Sequence, residues 1–129
     1  MRTSAEIVAA ARACGGARFR AHGRDPAYGL DCVGVAAVAF GREVPGHYAL
    51  RGGHPDMIAR VIQHAGLRAV DTKAAGAGDL LLIDAGAGQL HLAVLTGRGF
   101  VHADAGLRRV VEAPGGPVGT LLGAWREED

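Results

Sequence analysis

Tyr28-Gly29-Leu30-Asp31-Cys32-Val33-Gly34-Val35-Ala36-Ala37-Val38-Ala39-Phe40 is the stretch from which the rest of the chain can be placed. Gly29 supplies a turn and Asp31 is a favoured helix N-cap residue. Cys32 then opens a nine-residue run with almost no polarity. A helix apolar on every side must be buried, so it can hold the sulfur rigidly. In the first turn a thiol meets unpaired backbone N–H groups and the positive end of the helix dipole. Both favour thiolate, the reactive form. The expectation is a buried helix with a nucleophile at its start.

Upstream, Thr3-Ser4-Ala5-Glu6 reads as a capping box, with Thr3 as N-cap. It predicts a helix over residues 4–14 with Ile7, Ala11 and Cys14 on one face, ended by Gly15-Gly16. Cys14 is then most simply a core residue, and a Cys14–Cys32 disulfide has no support. Residues 17–30 read as a loop that includes Phe19, Arg20, His22 and Tyr28. A loop just before a nucleophile is a natural substrate wall, and a solvated connector is the other reading. Arg18, Arg20 and Arg24 give it a local basic cluster.

Downstream, the Cys32 helix stops near Gly41, and residues 42–53 read as irregular, with Tyr48 a candidate to pack over the groove. Pro55 occupies the first position of a third helix. Met57, Ile58, Val61, Ile62 and Ala65 form its apolar stripe, closed by Gly66. His47, His54 and His64 read as structural or surface residues. After Gly66 the periodicity becomes that of strands. Leu67-Arg68-Ala69-Val70, Leu80-Leu81-Leu82-Ile83, residues 90–95, 100–102, 107–111 and 121–125 predict an antiparallel sheet of five or six strands. Helices first and strands second argue an α+β fold.

Thr96-Gly97-Arg98-Gly99 reads as a tight hairpin with Gly97-Arg98 as its two-residue turn. The register places Leu95 opposite Phe100, Ala93 opposite His102 and His91 opposite Asp104. His91 and His102 become diagonal neighbours on one face, close enough for one imidazole to hydrogen-bond the other. Asp104, directly across from His91, is the rival orienting group. A thiol nucleophile, a histidine base and a third polar group that fixes the ring are what nucleophilic catalysis requires. Two histidines on one face can equally be polar surface.

The totals bound the rest. At 129 residues the chain suits one domain, 1–129. Fourteen basic against thirteen acidic residues leave a net charge of +1, which gives no electrostatic case for nucleic acid or an anionic membrane. No stretch reaches the length of a transmembrane helix. Residues 1–13 make a poor signal peptide.

At these residues the sequence resembles the NlpC/P60 cysteine peptidases, a papain-like family that cleaves bacterial cell-wall peptides. Gly29-Leu30-Asp31-Cys32-Val33-Gly34-Val35 resembles the family's Asp-Cys-Ser-Gly-Leu motif. Gly78-Asp79-Leu80-Leu81-Leu82 resembles its Gly-Asp-Leu strand, His91-Leu92-Ala93-Val94-Leu95 its His-Val-Gly-Ile segment, and Phe100-Val101-His102-Ala103 its Ile-His-Ala strand. The closest flavour is the short subgroup of phage tails and gene-transfer-agent-like particles. The resemblance implies Cys32 as nucleophile, His91 as base, His102 as third residue, and Asp31 as a binder of the free amine of the wall peptide. It implies cleavage between D-glutamate and a diamino acid, through a thioester whose oxyanion is held by the Cys32 N–H and a neighbouring donor. No metal or organic cofactor is implied. The partners it implies are the peptidoglycan peptide and, for the particle subgroup, phage-tail-like particle proteins. With no signal peptide seen, it implies synthesis in the bacterial cytoplasm and action at the cell wall or in a phage-like particle.

The chain also departs from the pattern. Val33 replaces a serine and removes a substrate hydrogen bond. Phe19 falls where a tyrosine is usual, leaving Arg20, His22 or Tyr28 to substitute for its hydroxyl, and the histidine hairpin is one residue tighter. Three alternatives stay open: an acyltransferase with the same thioester, a structural or binding module with a relic site, and a metal site on Cys32, His91 and His102 that lacks a fourth ligand.

Overall fold

The computed structural model describes residues 2–44 and 54–127. The capping box forms as the sequence predicts. Thr3 Oγ1 accepts from the Glu6 N–H at 3.1 Å, and Glu6 Oε1 accepts from the Thr3 N–H at 2.9 Å. Helix α1, Ser4–Ala13, follows and buries Ile7, Val8 and Ala11, with Cys14 buried just beyond it. Helix α2 is Cys32–Phe40, ended by Gly41 in the left-handed region (φ 65°). Every residue of α2 except Val38 is buried. A helix this short does not persist alone in water, so burial rather than propensity makes it. Helix α3, Pro55–His64, buries only Ile58 and Ile62, a narrower contact than the predicted stripe, and Met57 is half exposed. His54 and His64 are exposed, as read. Tyr48, His47 and most of the irregular stretch after Gly41 lie outside the described residues.

Two short strands, β1 (Arg24–Asp25) and β2 (Gly29–Leu30), precede α2. The remaining strands are β3 (Leu67–Val70), β4 (Leu80–Asp84), β5 (Leu90–Leu95), β6 (Gly99–Asp104), β7 (Arg109–Pro114) and β8 (Thr120–Glu127). They form one antiparallel sheet in the order β3-β8-β4-β5-β6-β7. The fold is α+β. Leu82, Leu92, Val94 and Val101 pack against α1 and α2 on one face of the sheet. Leu81, Ile83, Ala93 and Phe100 make a smaller cluster on the other. Buried Asp79, at the start of β4, accepts from Arg126 Nε (2.9 Å) and Nη2 (2.8 Å) of β8, and from the Gly76 N–H at 2.9 Å.

Residues 17–30 are not the plain loop that their composition suggests. Gly16 N–H donates to Val110 O, Val110 N–H to Ala17 O, and Phe19 N–H to Arg108 O. The segment therefore lines the open edge of β7, with Arg18 opposite Arg109. Leu30 N–H donates back to Arg18 O and Arg20 N–H to Leu30 O, so the same segment holds β2, the strand that leads into Cys32. The cause is long-range pairing, which local composition does not carry.

Closest approach occurs where this segment crosses α2. A Cβ on Gly34 would lie 2.1 Å from the Gly23 carbonyl oxygen. Helix propensity alone favours alanine at such a position by about 1 kcal/mol. Gly34→Ala is nevertheless expected to lower unfolding free energy in urea by at least about 2 kcal/mol, because backbone blocks backbone. A neutral or stabilising result would show that the contact is not tight.

Candidate active site

Cys32 is the first residue of α2, directly after its N-cap. The Asp31 carboxylate accepts the Gly34 N–H at 2.8 Å. The cap leaves the earliest N–H groups for the sulfur. Those of Cys32 and Val33, with Leu92 N–H from β5, all act to hold its pKa down. Burial outweighs them and, with the Asp31 charge, pushes the thiol up to about 12. The expected thiolate is thus not the resting form. A helix terminus favours the anion, but a sulfur removed from water and placed beside a carboxylate feels the opposite and larger effect.

β5 and β6 meet through the Thr96–Gly99 turn, where Thr96 N–H donates to Gly99 O at 3.0 Å. Leu95 lies opposite Phe100 and Val94 opposite Val101, as the hairpin reading requires. The paired register stops there, while β6 stays paired to β7 along its whole length. The expected pairings of Ala93 with His102 and His91 with Asp104 are therefore absent among the described residues. The strands part at the end that carries the histidines, and Leu92 N–H is left to face the sulfur.

His91 Nε2 lies 2.9 Å from His102 Nδ1, with the rings edge to face at 86°. Asp104 is not across from His91. Its partner in register is Arg109, and its Oδ2 lies 4.0 Å from His102 Nε2. The order is His91, then His102, then Asp104. Burial, and then the His102 charge, lower the His91 pKa to about 4, and burial lowers that of His102. Cys32 Sγ and His91 share no hydrogen bond among the described residues, so thiol and imidazole rest uncharged within one cleft.

That cleft has a volume of about 910 Å³. Cys32, His91, His102, Asp104, Asp31 and Phe19 all line it. Arg20 and Tyr28 do not. Both are exposed, Tyr28 at 69%, on the outer side of the segment that pairs with Leu30. The sequence reading missed Arg24 as cleft-lining, along with Gln89 and the exposed Val118 from the turns after β4 and β7. His22, named only as a substitute for a hydroxyl, also lines it. Only the basic cluster hinted at Arg24. A separate cavity of about 40 Å³ between α2 and α3 is lined by apolar groups and Arg42, and has no reactive side chain. Cys14 and Cys32 are both free thiols. Among the described residues, Cys32, His91 and His102 are not gathered as a metal-holding group, and no helix is long and apolar enough to cross a membrane.

No family model matches this sequence, and no curated protein is significantly similar to it. Solved structures are similar. The NlpC/P60 domain of the peptidoglycan hydrolase SagA matches with a TM-score of 0.63 at 26% identity, over 88% of this chain and 90% of that one. The peptidoglycan hydrolase RipB from Mycobacterium tuberculosis matches with a TM-score of 0.65 at 22% identity, over 98% of this chain and 65% of that one. This chain has the NlpC/P60 fold. An NlpC/P60 family protein from Bacillus cereus matches at 0.67 and 22% identity, over 98% of this chain but 40% of its own. These descriptions name hydrolases and a family protein, and none names a phage tail.

In this NlpC/P60 fold the protonation states are open to measurement. The difference in thiolate ultraviolet absorbance between wild type and Cys32→Ala should show no step near neutral pH, rising only toward about pH 12. A step in the acid range would overturn the neutral resting pair. Stability carries a second signature. The unfolded chain protonates His91 near its ordinary value of 6.5, whereas the folded chain resists until about 4. Between those values the unfolded state binds more protons, so stability falls as pH drops through the window and levels off below it. The loss should reach up to about 3 kcal/mol and shrink in His91→Gln, as read by urea unfolding at several pH values. A slope unchanged in that variant would assign it to other groups.

Proposed function

We propose that this protein is a cysteine peptidase that hydrolyses stem peptides of bacterial cell-wall peptidoglycan, at the bond between D-glutamate and a diamino acid. One observation carries the reading. His91 uses Nε2 on His102, so its Nδ1 remains for Cys32 in the same cleft, on a fold that SagA and RipB also have.

The tautomers follow from that contact. If His91 Nε2–H donates to His102 Nδ1, then His102 carries its proton on Nε2, facing Asp104. His91 Nδ1 is then an unprotonated base. Because the resting pair is neutral, the proton leaves Cys32 as the sulfur–carbon bond forms, in general-base fashion. The carbonyl oxygen becomes an oxyanion, stabilised by the Cys32 N–H at the helix start. His91 then gives the proton to the departing amine. Water, deprotonated by His91, hydrolyses the thioester and restores the thiol. His102 orients His91, and Asp104 stabilises the charge that forms on the pair.

A second reading has its own support. A buried neutral thiol without a hydrogen bond to the base fits a weakened site in a binding module. Digestion of purified peptidoglycan, read by mass spectrometry, separates the two. Wild type should release stem-peptide fragments and Cys32→Ala none. In the same assay His102→Ala should cost at least about 100-fold in rate and Asp104→Ala under about tenfold. Absence of products from folded wild type on several wall types would favour the binding module. A larger loss from Asp104→Ala would exchange the two roles.

A further inference from the structure

Four arginines stand together at the covered edge of β7. Arg18 and Arg20 come from the segment laid along it, and Arg108 and Arg109 from the point where the strand begins. All four are exposed, and among the described residues none of their guanidiniums has a hydrogen bond or an ion pair. Four of the chain's fourteen basic residues are gathered here, and the ten that are left are outnumbered by thirteen acidic ones. A net charge near zero therefore conceals a segregated positive patch.

Register fixes where the patch lies. Arg109 stands opposite Asp104 on one side and opposite Arg18 on the other. Residues directly opposite share a face, so Asp104, Arg109 and Arg18 form one row that starts in the cleft and runs outward. Arg20, two residues further along the extended segment, adds a charge roughly 7 Å from Arg18. Phe19 and Ala21 alternate with these arginines and line the cleft instead.

Like charges directly opposite one another are destabilising, and no carboxylate offsets this pair. Asp104 is turned the other way: Oδ1 accepts the Gly106 and Leu107 N–H groups, and Oδ2 lies 4.0 Å from His102 Nε2. Glu112, further along β7, is held by Arg12 at 3.1 Å and by the Thr96 hydroxyl at 2.7 Å. Arg108 adds a second local cost, because its φ of 60° disfavours any side chain. Local rules broken without a gain inside the fold point to a gain outside it.

Guanidinium forks match the oxygens of phosphate and carboxylate. Charges spaced along a line call for a ligand that repeats its own charge. A chain with phosphates in its backbone does so at every repeat, whereas a peptide carries carboxylates only at some residues. Nucleic acid repeats phosphates too, but proteins hold its single strands on successive aromatic platforms set between the cations. Among the described residues, Tyr28 is the one exposed aromatic side chain. We propose that this arginine face binds a phosphate-bearing polymer of the cell envelope and holds it beside the cleft. Naming the envelope rests on the peptidase reading; the anion site rests on the four arginines. Held there, the polymer keeps the cleft at the wall without entering it.

The probe is poly(glycerol phosphate), which has no peptide bond to cut. It is titrated into the wild-type chain and followed by nuclear magnetic resonance at several salt concentrations. Binding should weaken as salt rises. In Arg18→Gln/Arg109→Gln the affinity should fall at least about tenfold, and the slope of log affinity against log salt should drop by about 2. That variant removes a repulsion, so it should fold at least as well as wild type. If it does not fold, Arg20→Gln with Arg108→Gly, which relieves the backbone at position 108, makes the same comparison. Absence of binding by folded wild type at low salt overturns the proposal, as does unchanged affinity and slope in a folded variant. Tighter binding of a single-stranded oligonucleotide or of polyglutamate with the same number of charges also overturns it, in favour of nucleic acid or a carboxylate polymer. Digestion of phosphate-free peptidoglycan by wild type reads the peptidase separately. Products without polymer binding sink this proposal alone; polymer binding without products supports the anion site and overturns its assignment to the wall.

Discussion

The carboxylate of Asp31 fixes three pieces of chain at one point: the first turn of α2, the backbone at His22, and the Arg24 guanidinium. Capping interactions of this kind are worth about 1 kcal/mol, so their contribution here is less to stability than to placement. Cys32 is the next residue, so the cap sets where its backbone enters the helix. The backbone contact between Gly23 and Gly34 completes the constraint, because only a residue without a side chain at position 34 lets the Gly23 carbonyl lie so close to the helix. Asp79 does the corresponding work for the other wall, tying β4, the neighbour of β5, to Arg126 on β8.

Burial supplies the second constraint, and it acts on both reacting groups in one direction. It raises the thiol and lowers His91, so neither carries charge at rest. Charge separation between them is then uphill, and in the proposed reaction what lowers it is the oxyanion that forms opposite the imidazolium, near the helix start. His102 and Asp104 extend in line behind His91, so positive charge that develops there has a partner within reach.

Local chemistry made much of this legible. The Thr3 and Glu6 pair, the apolar run from Cys32, the glycine turn at Gly97 and the alternation along β5 are all signals between near neighbours, and each formed as read. The histidine contact formed as read, although the register that was to set it ends before the histidines. What stayed hidden depends on residues far apart in sequence. The pairing of residues 16–19 with β7 joins positions about ninety apart, and Phe19, within it, lines the cleft while Arg20, just beyond it, is exposed. The β5–β6 register ends early, while β6 stays paired to β7, and Asp104 lies beside His102 instead of across from His91. Thiol protonation depends on total burial, which no motif encodes.

The pairing of residues 16–19 with β7 has one more result. On that side the sheet would otherwise end in a row of unmatched amides and carbonyls, the kind of border along which chains stick to one another. The strand that seals the border is the one that leads through β2 to Cys32. Peeling it away would disassemble the wall that bears Cys32 and bare an adhesive margin in a single event. Loss of the cleft and exposure of a sheet edge therefore share an origin in this protein, in the one segment that lies between β7 and Cys32.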